Sequence, residues 1–319
     1  MRADAGDDSY RVVVDEAGLD CRGLTDVQLV RCVDTFADLL EELADGRQVA
    51  IMDLAYDVPC WGSITLATLR YASDGIVSRD ARVRLATLVD KCRTIEPRDD
   101  EIPQPVVVAG VEREPSWGMA HALAQAVAGR AMSCLVLSTG FWPSGWITVV
   151  HRHESVDLHV LTDVDELTGF RRGILVRECV PPDAFLHLAG SAFADLIFAD
   201  ALDFRRFKGD YAEILPWLVE LLGLLNDHFG DALERHKGDQ SRVIAEFAAR
   251  GFDISPESPQ TKKNARAWEQ RNVEYQGVLH RCEWHGKRLW NVDRVHFSLP
   301  IPEYGGRILV GVFDEHLDT

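Results

Sequence analysis

Cys282-Glu283-Trp284-His285-Gly286-Lys287, followed by Arg294-Val295-His296-Phe297, is the stretch on which the reading of this chain turns. Taken as two paired strands, it places Arg281, Glu283 and His285 on one face beside Arg294, His296 and Ser298. The opposite face carries Val278, Cys282, Trp284, Val295 and Phe297. Side chains alternate along a strand, so a single register separates charged residues from apolar ones. A sheet that needs only a wetted outer face is served by Thr, Ser, Lys and Glu. Two imidazoles, two guanidinium groups and a carboxylate, with Lys287 close by, point instead to handling a phosphate or a proton.

Working outward, the segment before these strands is helical. Residues 211–235 place Ile214, Leu218, Leu221, Leu222, Leu225, Phe229 and Leu233 on one stripe, with Pro216 in the early turns. Helices are also expected over 165–172, 183–194 and 243–249, with a short strand at 196–198. Residues 253–267 read as a polar loop rich in Pro and Ser, in which Glu257, Ser258 and Thr261 can close over the strand face. The N-terminal half alternates strands (10–14, 48–54, 106–110, 132–137) with helices (25–44, 64–71, 79–91, 117–129) and ends in a hairpin at 145–161. The Pro-rich stretch 97–105 is a candidate boundary within it.

The fold class that follows is an α/β N-terminal part with a Rossmann-like, partly parallel sheet, then an α+β C-terminal part with a small antiparallel sheet. The expected organisation is a disordered acidic tail (1–8), an α/β domain (9–162), a helical segment (163–252) and a β-rich module packing on those helices (253–319).

The 319 residues are 46% hydrophobic and 27% charged, which places the chain among globular proteins. No apolar run approaches the roughly 18 residues of a membrane span, and the acidic start has no signal-like core, so a cytoplasmic location is expected. Seven scattered cysteines without a C-x-x-C pair suit reduced, mostly buried thiols. A net charge of −17 argues against indiscriminate nucleic-acid binding. Between Ser255 and Pro300, however, eight Lys or Arg face five Asp or Glu, a locally basic module on an acidic body.

The run Ser255-x-Glu257-Ser258-x-x-Thr261, then Glu283-Trp284-His285-x-Lys287, Arg294-x-His296-Phe297 and finally His316-Leu317 resembles a C-terminal module of uncharacterised bacterial proteins. The resemblance spans about the last fifth of the chain and carries no settled activity. Helices followed by three strands also resemble the RelE/HigB-type mRNA interferase fold, which implies metal-free RNA cleavage through the 2′-hydroxyl. Such cleavage needs a base at the 2′-oxygen, an acid at the leaving oxygen and cations on the phosphate. His285 and His296 suit the two proton roles, Lys287 and Arg294 the phosphate, and Glu283 the orienting carboxylate. Glu257, Ser258, Thr261, Arg281 and His316 are candidate substrate contacts.

The expected function is therefore an RNA-cleaving or otherwise phosphodiester-directed effector of a toxin or phage-defence kind, with neither cofactor nor metal. One alternative is a non-catalytic scaffold that docks a protein partner through the same face. Another is a metal-dependent hydrolase built on His151, His153 and His159 with Asp157, all odd-numbered and so on one face of an unbroken strand. The strand-to-helix junction 110–118 lacks the glycine pattern of a phosphate loop, and its two glutamates oppose an anion.

Overall fold

A computed structural model describes residues 10–44, 46–73, 75–137, 142–151, 154–289, 292–315 and 317. The acidic run 1–8 lies outside the described residues. The chain divides into two compact units, Met1–Phe170 and Arg171–Thr319.

The first unit contains β1 (Val12–Val14), α1 (Asp26–Glu42), β2 (Val49–Met52), β3 (Pro59–Trp61), β4 (Ile64–Thr65), α2 (Arg79–Val89), β5 (Arg93–Ile95), β6 (Val106–Val108), β7 (Val111–Arg113), α3 (Trp117–Val127), β8 (Ser133–Leu135), β9 (Gly145–His151) and β10 (Glu154–Leu161). One eight-stranded sheet has the order β5-β2-β1-β8-β10-β9-β6-β7. Its first five strands are parallel and the rest antiparallel, so the partly parallel α/β class holds. Two helices start on local chemistry visible in the sequence. Thr25 and Gln28 form a capping box on α1. Ser116 caps α3, and the Glu16 carboxylate also accepts hydrogen bonds from the amides of Trp117 and Gly118 at 2.7 and 2.9 Å. That helix start, part of the 110–118 junction, is thus occupied by the chain's own carboxylate. A Cβ on Gly118 would lie 2.2 Å from the Val14 carbonyl oxygen, so the helix can approach β1 this closely only with glycine there.

Three expectations fail in this unit. Residues 64–71 form a short strand and a 3-10 turn (Leu66–Thr68) rather than an α-helix, because Thr68 and Thr65 bond to each other's backbone instead. The Pro-rich stretch 97–105 is no boundary, since β5 and β6 on either side of it belong to one sheet. The strand at 106–110 is not covered on both faces: Val107 is 36% exposed, and β6 lies next to the sheet edge.

The second unit contains α4 (Leu167–Arg177, in which the division falls), α5 (Pro182–Ala192), β11 (Leu196–Phe198), α6 (Tyr211–Leu224), α7 (Gly230–Arg235), α8 (Gln240–Ala249), β12 (Asp253–Pro256), α9 (Pro259–Lys263), α10 (Ala265–Glu269), β13 (Asn272–Tyr275), β14 (Val278–Arg281), β15 (Trp284–Leu289), β16 (Val292–Ile301) and β17 (Arg307–Asp314). A single π-turn, Leu225–Phe229, joins α6 to α7. The sheet is larger than expected, five strands in the order β11-β17-β16-β15-β12, antiparallel except for the parallel pair β11–β17. One face packs Trp284, Val295, Phe297, Val310 and Phe313 against Leu218, Leu221, Leu222 and Phe229. Gly286 lies on this face, where a Cβ would come within 2.6 Å of Leu221 Cδ2, so helix and sheet approach most closely there. The helical segment and the β-rich module therefore share one core.

The second face is covered as well. The β13–β14 hairpin brings Val273, with Cys282 just beyond it, onto Leu309. A Cβ on Gly311 would lie 2.4 Å from Cys282 Sγ. Cys282 and Trp284 thus pack into different cores, contrary to simple alternation, because the chain passes from the hairpin into the sheet between Arg281 and Trp284. All seven cysteines are free, and five are buried.

Candidate functional site

Strands β15 and β16 pair in a register that sets His285 opposite His296 and Lys287 opposite Arg294. On the other side of β15, β12 sets Ser255 opposite His285 and Asp253 opposite Lys287. Two polar rows result: Ser255, His285 and His296, then Asp253, Lys287 and Arg294. The imidazole centroids are 5.2 Å apart at an interplanar angle of 41°.

This face is not open to solvent, which corrects the expectation. His285 is 5% exposed and His296 0%. The cover is the segment from Glu257 to Arg271, the supposed loop, which is built from two short capped helices. Ser258 accepts from the Thr261 amide and starts α9 with Pro259 in its first turn, while Asn264 caps α10. The Glu257 amide bonds to the Glu283 carbonyl at 2.8 Å, which extends the β12 pairing by one residue and turns the carboxylate onto the histidine row.

Glu257 is the centre of the arrangement. Its Oε1 lies 2.9 Å from Arg271 Nε and 3.4 Å from the Nδ1 atoms of both His285 and His296. Arg271 is wholly buried and donates through Nη1 to the Ala267 carbonyl at 2.6 Å. His285 Nε2 stands 3.3 Å from Ser255 Oγ. Neither Nδ1 has a hydrogen-bond partner among the described residues, and neither does His296 Nε2. Glu257, His285 and His296 each offer a ligand atom, and these atoms lie within 4.8 Å of one another.

Burial alone would raise the Glu257 carboxyl, but His285, His296 and Arg271 together hold it well below the usual carboxylate range. Burial lowers His285 against the opposing pull of Glu257, and it lowers His296 to about 4. At neutral pH the cluster is thus an ionised carboxylate between two uncharged imidazoles. Arg294, in the outer row, is 8% exposed, and its Nε has no hydrogen-bond partner among the described residues. Burial lowers its pKa, while Glu257 and Asp253 attract its charge. Lys287 Nζ lies 3.6 Å from Asp253.

The remaining candidates go elsewhere. Glu283 pairs with Lys262 at 3.1 Å, so the carboxylate that meets the histidines is Glu257. Arg281 stacks on Trp268 at 4.4 Å and donates to Asn272. Ser258 and Thr261 are used in capping α9, their hydroxyls 2.9 Å apart, and Thr261 is buried. His316 lies outside the described residues. Arg271 escaped the sequence reading altogether, because a single Arg after Trp268-Glu269-Gln270 carries no pattern that marks it as buried.

The structure does not assemble the other proposed cluster. His151 ends β9, whereas His159 pairs with Trp146 five residues along β10, about 17 Å from the hairpin end at 3.3 Å per residue. His159 is 1% exposed, bonds Ser133 Oγ at 3.0 Å through Nδ1 and packs on Trp146 and Phe170. Asp157 accepts from Thr148 Oγ1, and His153 lies outside the described residues. Among the described residues, no helix is long and apolar enough to cross a membrane. Compared with models of known families, with characterised proteins and with solved structures, the chain matches none.

Proposed function

We propose that the second unit acts on phosphodiesters, with RNA as the expected substrate. One observation carries the reading: Arg294 is nine-tenths buried, its Nε has no hydrogen-bond partner among the described residues, and it is paired across the strands with Lys287 beside the Glu257–His285–His296 cluster. A buried guanidinium normally has its donors satisfied, and its planar fork suits phosphate oxygens. Arg294 and Lys287 would hold the phosphate, and the cluster in the adjacent row would supply the reacting groups. The basic character of the stretch from Ser255 to Pro300 favours approach of a polyanion, while the acidic remainder of the chain disfavours indiscriminate contact.

The burial of His296 changes the division of labour expected from sequence. It cannot touch a substrate while the 257–271 cover is closed, so it acts through Glu257 as a positioning residue. Access to His285 likewise requires the cover to lift from the outer row inward.

The test is RNA binding and cleavage by the full chain. Arg294→Ala is expected to weaken RNA binding roughly tenfold or more, and Lys287→Ala to weaken it less, with binding falling as salt rises. His285→Gln is expected to lose cleavage and keep binding. RNA binding by a folded Arg294→Ala variant equal to that of the wild type would overturn the reading, as would failure of the wild type to bind or cut RNA.

A further inference from the structure

We propose that Glu257 Oε1, His285 Nδ1 and His296 Nδ1 form a binding site for a first-row transition-metal dication that favours four-coordination, Zn2+ or Co2+ in class. This deepens the phosphodiester reading by naming the cofactor of the same site, although metal binding itself does not depend on that reading.

The argument begins with the distances. Both Nδ1 atoms stand 3.4 Å from one carboxylate oxygen. A tetrahedral metal with bonds of about 2.1 Å has ligand–ligand edges of about 3.4 Å, whereas adjacent ligands around an octahedral ion with the same bonds are about 3.0 Å apart. A proton does not account for the arrangement equally well. Were either Nδ1 protonated and turned on the carboxylate, a charge-assisted bond of about 2.8 Å would form. Instead, neither Nδ1 has a hydrogen-bond partner.

The second contact of His285 agrees. With Nε2 carrying the hydrogen towards Ser255 Oγ at 3.3 Å, the Nδ1 lone pair faces the Glu257 oxygen. Metal-bound histidines are commonly held this way, the far ring nitrogen donating to a neighbour. Arg271 completes the outer layer by donating to the ligating carboxylate at 2.9 Å. The same tautomer makes His285 a poor free base for the 2′-hydroxyl, since one nitrogen is turned to Ser255 and the other into the cluster. A bound metal would instead supply the Lewis acid beside the phosphate held by Arg294 and Lys287.

The charges around the site set its character. Arg271, Arg294 and Lys287 oppose a dication, while Glu257 and, further out, Asp253 favour it. Metal affinity is therefore expected to rise when an anion occupies Arg294 and Lys287, and inorganic phosphate is the probe for this.

The experiment is a Co2+ titration of chelator-stripped full-length protein, read by visible absorption and by melting temperature. The expected result is one equivalent bound, with the intense bands of four-coordinate Co2+ and a raised melting temperature. Glu257→Gln and His296→Gln are expected to abolish the bands. These substitutions are buried and can unfold the unit, so Ser255→Ala serves as the mild variant. It is expected to keep the fold and bind roughly 10- to 100-fold more weakly. Failure of folded wild-type protein to bind Co2+ at near-stoichiometric concentration overturns the proposal, as does an unaltered spectrum in a folded His285→Gln variant. RNA cleavage that persists in chelator without Co2+ binding would sink the metal site and spare the phosphodiester reading. Co2+ binding without any action on RNA would do the reverse.

Discussion

Arg271→Met isolates what holds the cover over the histidine row. Methionine keeps most of the aliphatic stem and removes the guanidinium, so the packing loss is small and the electrostatic loss is large. Two contacts disappear, the 2.9 Å bond to Glu257 and the 2.6 Å bond to the Ala267 carbonyl. Glu257, its side chain only 3% exposed, is then left charged beside two uncharged imidazoles. Breaking a buried ion pair by removing one partner costs about 3–5 kcal/mol, because the other charge stays desolvated. Pairing it with Glu257→Gln removes that orphan charge, so the double variant should lose clearly less than the sum of the singles. Urea unfolding followed by circular dichroism gives the totals, and amide exchange over 257–271, β15 and β16 locates the loss. A stability within about 1 kcal/mol of the wild type for Arg271→Met, at unchanged m, would refute the assignment of Glu257 and Arg271 as the clamp on this face.

Two further outcomes follow from other parts of the molecule. Gly286→Ala sets a methyl group 2.6 Å from Leu221 Cδ2 and is expected to cost about 1–2 kcal/mol through overpacking. Adding Leu221→Ala should then cost less than it does alone, and a fully additive pair in denaturant unfolding would contradict the close approach. In the first unit, burial raises the Asp15 carboxyl to about 6. Its folded pKa lies above its unfolded one, so its contribution is complete below about pH 4 and is lost as pH rises through 6, by about 3 kcal/mol. Asp15→Asn should therefore raise the melting temperature at pH 7.5 and do little at pH 4, and no gain at pH 7.5 would count against that burial.

The pairing of β15 with β16 was legible because alternation is strict there. Trp284, Val295 and Phe297 reach the core, and His285 meets His296 as the pattern requires. Alternation separates two faces but does not say what covers the polar one. Here the cover is polar too, and its residues 253–267 contain few apolar side chains to mark a buried layer. The signs of order in it were small: Ser258 before Pro259 with Thr261 three residues on, and Asn264 before Ala265. Glu283 was misplaced for another reason. The parity count ran from Arg281 to His285 as though one strand continued, whereas the chain changes sheets there and takes Cys282 and Glu283 out of phase. In the first unit, capping residues located α1 and α3 well, while 64–71 failed because its apolar spacing was matched by threonines that fold back on their own backbone.

The parallel contact of Leu196–Phe198 with Ile308, Leu309 and Val310 has a bearing on biosynthesis. More than a hundred residues separate the two segments, and β17 is an inner strand flanked on both sides. A ribosome that has released the histidine-bearing strands but not yet residue 314 has made the imidazoles without the strand that backs His296. Competence is thus withheld until translation has passed the whole sheet, a useful order of events for a nascent chain that emerges beside messenger RNA.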